Sequence, residues 1–175
     1  MKPNLKKPNL SKLMPSKITP FLWFDGQAEE AANFYLSIFP NSKITALSRY
    51  GEVGSKEHGW TPGTVMVIAF ELDGQPFTAL NGGPHFKFTE AISFQIDCET
   101  QEEVDHYWSK LSAVPEAEQC GWLKDKFGLS WQVVPAILPD LLGAEDSEKS
   151  GRAMQAMLGM KKMDIAALQR AFDGA

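Results

Sequence analysis

Apolar and polar positions follow one pattern twice along this chain. Ile18-Thr19-Pro20-Phe21-Leu22-Trp23-Phe24 is an aromatic-rich run suited to a strand. It breaks at Asp25-Gly26. Ala28, Ala31, Ala32, Tyr35 and Phe39 then recur at helical spacing, which predicts a helix over 28–39 ended by Pro40-Asn41. Seventy-three residues further on, Ala91-Ile92-Ser93-Phe94-Gln95-Ile96-Asp97 repeats the strand signal. After Cys98-Glu99-Thr100, a helix over 101–112 carries Val104, Tyr107, Trp108 and Leu111 on one face. At this offset Phe21 aligns with Phe94, Trp23 with Ile96, and Phe34-Tyr35 with Tyr107-Trp108. Two similar openings imply an internal duplication within one domain.

Each opening is followed by further strands. Residues 43–50 predict a strand, and 51–63 a glycine-rich loop. Val65 to Leu72 is a strong strand, Asp73-Gly74 a hairpin turn, and Phe77 to Leu80 the return strand. In the second half a short strand is expected near 115–119. A hairpin follows, 121–126 with 129–134, around Phe127-Gly128. Both halves thus read β-α-β-β-β, over 17–84 and 91–135. Beyond Pro135, Asp146 and Asp164 are candidate caps of two helices. These carry Ala153, Met154, Met157 and Leu158, then Ile165, Leu168 and Phe172, giving a helical extension over 136–175 whose apolar stripe suits core or subunit contact. Residues 1–16, with Pro3, Pro8 and Pro15, read as a mobile tail.

The 175 residues suffice for one sizeable core, and 43% hydrophobic with 22% charged residues is ordinary for a soluble globular chain. The net charge is -5, although residues 1–12 hold four lysines and no acid. An acidic body argues against nucleic acid as a partner. No apolar run reaches the length of a membrane span. Two cysteines, Cys98 and Cys120, are too few for a disulfide framework, and a cytoplasmic location with reduced thiols is expected.

Several motifs carry a family resemblance: Phe34-Tyr35-Leu36-Ser37-Ile38-Phe39-Pro40, Asp73-Gly74-Gln75-Pro76-Phe77, Asn81-Gly82-Gly83-Pro84, Cys120-Gly121-Trp122-Leu123-Lys124-Asp125, Gly128-Leu129-Ser130-Trp131-Gln132-Val133-Val134-Pro135, and the tail from Met157 to Ile165. With the tandem modules, they make the chain resemble the PhnB-like, 3-demethylubiquinone-9 3-methyltransferase-like group of the vicinal oxygen chelate superfamily, which includes glyoxalase I, extradiol dioxygenases and bleomycin-resistance proteins. The resemblance covers about residues 17–173. It implies an α+β fold in which two β-α-β-β-β modules form a cup-shaped mixed sheet around a ligand cavity. It also implies a homodimer.

Many members of that superfamily hold a divalent metal through His and Glu donors at the module-opening strands and near the module ends. Here the opening positions fall at Ile18, Thr19 or Pro20 and at Ala91, Ile92 or Ser93. The late position falls at Gln132, with Thr78 as its first-module counterpart. None is an imidazole or a carboxylate, so no metal and no cofactor are expected. His58, His85 and His106 lie elsewhere and read as surface or structural histidines.

Strand alternation assigns the cavity wall. Phe21 and Trp23 are expected to face the first helix, leaving Leu22 and Phe24 inside. Ile92, Phe94 and Ile96 are expected to face the second helix, leaving Ser93 and Gln95 inside with Gln132 and Val134. Thr78 and Leu80 line the first module. A pocket of this kind, apolar with a few neutral polar groups, suits a small molecule, and the same amides and hydroxyls could equally satisfy one another. Asn81 is expected near the pocket mouth, Trp60 over the ligand, and Trp122 beside Cys120, a weak candidate nucleophile with no histidine at fixed spacing. The resemblance implies methyl transfer to a quinone precursor, yet no strand leads into a Gly-x-Gly helix start that would cradle S-adenosylmethionine. The alternatives are a small-molecule-binding homodimer of the sequestering type, or a structural dimer with a filled cavity.

Overall fold

The computed structural model describes residues 17–175, and the tail expected over 1–16 lies outside the described residues. The described residues divide into two compact units, one up to His85 and the other Phe86–Ala175.

The first unit is built on a four-stranded sheet in the order β1-β4-β3-β2, with β1 at Phe21–Phe24, β2 at Lys43–Arg49, β3 at Val65–Leu72 and β4 at Gln75–Asn81. β1 runs parallel to β4 and the other pairs are antiparallel. Helix α1, Ala28–Leu36, lies on one face and buries Ala28, Ala31, Ala32 and Tyr35. Against it stand Leu22, Phe24, Ile68, Phe70, Leu72, Phe77 and Ala79, all buried. The expected hairpin at Asp73-Gly74 is present. Both residues have positive φ, +46° and +80°, the twist a two-residue turn between right-handed strands requires. Every residue of β2 is exposed, and its pairing with β3 slips twice, the irregularity common on sheet edges. The loop after β2 holds one helical turn, α2 at Ser55–His58.

The second unit carries a three-stranded sheet in the order β5-β7-β6, with β5 at Ser93–Cys98, β6 at Trp122–Lys124 and β7 at Ser130–Pro135. β5 is parallel to β7, and β6 antiparallel to it. Helix α3, Gln101–Leu111, buries Val104 and Leu111 against the face formed by Ile96, Leu123, Trp131 and Val133. Thr100 caps it by accepting from the Glu103 N–H.

The strand expected near 115–119 is replaced by a 3-10 turn at Pro115–Ala117 and one isolated bridge, Gln119 with Trp122. Proline at the first turn position lacks the N–H a ladder needs. The second module is therefore one strand short of the first.

Beyond Pro135 come α4 (Leu138–Leu142), α5 (Ser147–Leu158) and α6 (Ile165–Asp173). Asp146 caps α5 and Asp164 caps α6, as their spacing suggests. The segment between α5 and α6 is sewn to the sheet edge. The Cys120 N–H donates to Met160 O and the Gly121 N–H to Lys161 O, both at 2.8 Å. Met163, 1% exposed, packs on Gly121, where a Cβ would lie 2.8 Å from Val133 O and 3.3 Å from the Met163 methyl.

Candidate functional site

Each sheet has one face filled by its helix; on the other face of the second sheet Gln95 is exposed and Ser93 and Gln132 half-buried, while Ser130 and Val134 are covered. Residues opposite each other on paired strands share a face, so the register assigns every side chain. In the second unit Ser93 is opposite Ser130, Gln95 opposite Gln132, and Asp97 opposite Val134. Across the other edge Trp122 is opposite Gln132 and Lys124 opposite Ser130. The open face therefore carries two adjacent rows, Ser93·Ser130·Lys124 and Gln95·Gln132·Trp122. Phe94 and Ile96 stand on the helix face as alternation predicts, whereas Ile92 precedes the strand and is 69% exposed.

Ser93 and Gln132 touch: the Gln132 Nε2 donates to Ser93 Oγ at 2.9 Å. Gln95 Nε2 donates to Asp97 Oδ1 at 2.7 Å. Lys124 forms an ion pair with Glu90, which holds the Glu90 carboxyl below its ordinary value, chiefly through their hydrogen bond. Ser130 is 1% exposed, and its hydroxyl has no partner among the described residues.

The opening-strand and late-strand positions at which the superfamily places metal ligands thus meet here as a hydroxyl and a carboxamide. Neither is the imidazole or carboxylate donor that a transition-metal site uses. Among the described residues no group of three or more His, Cys, Asp or Glu could hold one. The donor set does not fit a resident metal.

The first unit requires a correction. Leu22 and Phe24, expected on the open face, are 5% and 3% exposed and sit on the helix side, opposite Ala79 and Asn81. Phe21 and Trp23 stand on the open face, opposite Thr78 and Leu80, with Val67 and Ala69 beyond them. The cause is a loop one residue longer. Three residues, Asp25 to Gln27, separate β1 from α1, where two, Glu99 and Thr100, separate β5 from α3. Ala31 still matches Val104 at an offset of seventy-three, but across the strands the match slips by one, and a one-residue slip exchanges the faces. The missed signal was that loop length, with Gly26 at φ +90° absorbing the extra residue.

Asn81 is not at a pocket mouth. It is 1% exposed, accepts from the Ala28 N–H at 2.9 Å and donates to Val65 O at 2.9 Å, so it ties the start of α1 to β3. Its own carbonyl accepts from the Tyr50 hydroxyl at 2.6 Å. The following glycine is occupied by protein: a Cβ on Gly82 would lie 2.2 Å from the Trp23 ring, whose Nε1 donates to Gly83 O at 2.8 Å. The chain then runs on without a helix to β5, so this glycine pair does not fit a nucleotide-type cradle for S-adenosylmethionine.

Trp60 stacks on Tyr50 with ring centroids 5.9 Å apart and lies over the Gly26 turn. His58 packs on Tyr50 from the same loop and accepts from the Trp60 N–H. Cys120 sits at the turn before β6 with φ +49°, and its Sγ accepts from Gln119 Nε2 at 3.2 Å. Its neighbour there is an amide, which cannot serve as a general base toward the thiol.

Residues 16–134 match the 3-demethylubiquinone-9 3-methyltransferase family, which is most of the chain. The chain belongs to that family. A PhnB protein from Bacillus cereus, described under the same activity, is 41% identical over 69% of this chain and 100% of its own, with a TM-score of 0.58. A protein from Pseudomonas aeruginosa is 16% identical over 69% of this chain and 98% of its own, with a TM-score of 0.51. A fosfomycin resistance protein from Listeria monocytogenes covers 70% of this chain and 94% of its own at 13% identity, with a TM-score of 0.45. No curated protein matches the chain. The α+β fold, with mixed sheets of four and three strands, is the fold expected for this PhnB-like chain.

Proposed function

We propose that this family member binds a small, partly aromatic molecule on the exposed side of its second sheet, without a resident metal, and works as a homodimer. The observation that carries this reading is the Ser93–Gln132 pair on the second sheet's open face, flanked by Trp122 and Gln95. It combines neutral hydrogen-bonding groups with an aromatic ring, the makeup of a small-molecule site. Binding is favoured over methyl transfer because, among the described residues, the glycine pair at Gly82-Gly83 is filled by the Trp23 ring rather than open to S-adenosylmethionine.

A thermal-shift screen of small aromatic compounds tests this. Compounds that stabilise the parent chain should lose their effect in Gln132→Ala and Gln95→Ala. Unchanged shifts in both variants would place binding elsewhere and overturn the proposal.

A further inference from the structure

The Ser93·Ser130·Lys124 row has a composition that the neutral-site reading leaves unused. Ser130 is almost wholly enclosed, yet its hydroxyl has no partner among the described residues. A buried hydroxyl left unpaired costs free energy of the order of ~1–3 kcal/mol, so such an atom marks a place where something else accepts or donates. Ser130 stands on the face of β7 away from α3, since the α3 side is filled by Trp131 and Val133. On one side of Ser130 stands the Lys124 ammonium and on the other the Ser93 hydroxyl, whose oxygen already accepts from Gln132 and which retains its own O–H to donate. Three donors thus lie in one row spanning about 10 Å across three strands. The neighbouring row, about 7 Å along the strands, presents the Trp122 indole and the Gln132 amide.

Lys124 is the cation of that row, and its present partner is instructive. Glu90, on the segment leading into β5, reaches it with a carboxylate while its own side chain is 61% exposed. An exposed carboxylate held mainly by one ion pair is weakly attached. The other acids of this face stand apart: Asp97 lies two rows away and is engaged by Gln95.

We propose, building on the small-molecule site above, that its ligand is a planar aromatic carboxylate. Its carboxylate takes the place of the Glu90 carboxylate on Lys124 and accepts from the Ser130 and Ser93 hydroxyls. Its ring lies toward Trp122 and Gln132. Glu90 is then an internal competitor that occupies the anion position when the site is empty. Charge-assisted hydrogen bonds from an ammonium and two hydroxyls select a carboxylate over its amide, and the adjacent indole selects a ring over a methyl group.

The test is isothermal titration calorimetry of the full chain with benzoate, benzamide and acetate at up to millimolar concentration. Benzoate should bind about ten-fold or more tightly than benzamide, and acetate more weakly than benzoate. Lys124→Met should bring benzoate down to the level of benzamide while leaving benzamide unchanged. Ser130→Ala should weaken benzoate several-fold. Glu90→Gln, at an exposed position that leaves the fold intact, should tighten benzoate by removing the competitor. Equal affinity for benzoate and benzamide, no benzoate binding, or no gain in Glu90→Gln would each overturn the carboxylate assignment. If benzamide and benzoate bind equally and Gln132→Ala abolishes both, the small-molecule site stands and only the anion inference falls. If benzoate binds and neither Gln132→Ala nor Lys124→Met alters it, both readings fall together.

Discussion

At the scale of single residues, Asp125 organises the second hairpin. It is 1% exposed, and its carboxylate accepts from the Phe127 N–H at 2.8 Å, the Leu129 N–H at 3.0 Å and the Trp131 Nε1 at 2.9 Å. Asp125→Ala strands three donors in or near the core and should cost about 3 kcal/mol in urea unfolding, given ~1–3 kcal/mol for each buried group left unpaired. A loss under about 0.5 kcal/mol would show that water replaces the carboxylate. The two thiols differ as sharply. Burial, with Glu103 and Asp97 nearby, pushes Cys98 up to about 12. Native-state labelling near neutral pH should therefore modify Cys120 and spare Cys98, and equal rates would contradict the packing around β5. The linkage follows in sign: the unfolded thiol ionises near 9 and the folded one near 12. Stability contributed by the buried neutral thiol is present below pH 9 and declines as pH rises through that window.

At the scale of elements, the caps decide where the C-terminal helices begin. Asp146 accepts from the Glu148 and Lys149 N–H groups at 3.1 Å each, and its carboxyl is held below the ordinary value, first by the Lys149 N–H bond. Its contribution is present above the unfolded carboxyl value and is lost as pH falls through the lowered one. Asp164→Ala removes the bond to the Ala167 N–H and should cost about 1 kcal/mol, read from a melting curve; an unchanged curve would show that α6 starts without its cap. These caps were legible in the sequence because a cap and its helix are a few residues apart. So were α1, α3, the β3–β4 hairpin and the alternation along β5 and β7, for period and turn chemistry are local. The face of β1 was not, because it turns on one extra residue before α1, and Leu22 and Phe24 were misassigned with it. Nor could the sequence reveal that Asn81 and Gly82 serve Ala28 and Trp23, fifty or more residues away. The orphaned Ser130 hydroxyl was equally hidden, since an absent partner leaves no pattern along the chain.

At the scale of the whole molecule, two duplicated units present unlike surfaces. The first offers aromatic and aliphatic side chains, with Phe21 59% exposed, and the second offers hydroxyls, amides and a lysine. The second unit carries one strand fewer than the first. Metal analysis of the purified chain should find no stoichiometric zinc, nickel or iron, and one bound ion per chain would contradict the donor argument. Light scattering should return a dimer mass, with exposed Met154 and Leu158 on α5 and Ile44 and Leu47 on β2 as apolar area for the contact. A monomer at micromolar concentration would remove the dimer from the account. The most direct test of the central claim is an NMR titration of the isotope-labelled chain with benzoate or a screening hit. The account predicts that shifts concentrate at Ser93, Gln95, Ser130 and Gln132 and at the Trp122 indole. Shifts confined to the Tyr50–Trp60 loop or to α5 and α6, with the open face silent, would contradict it.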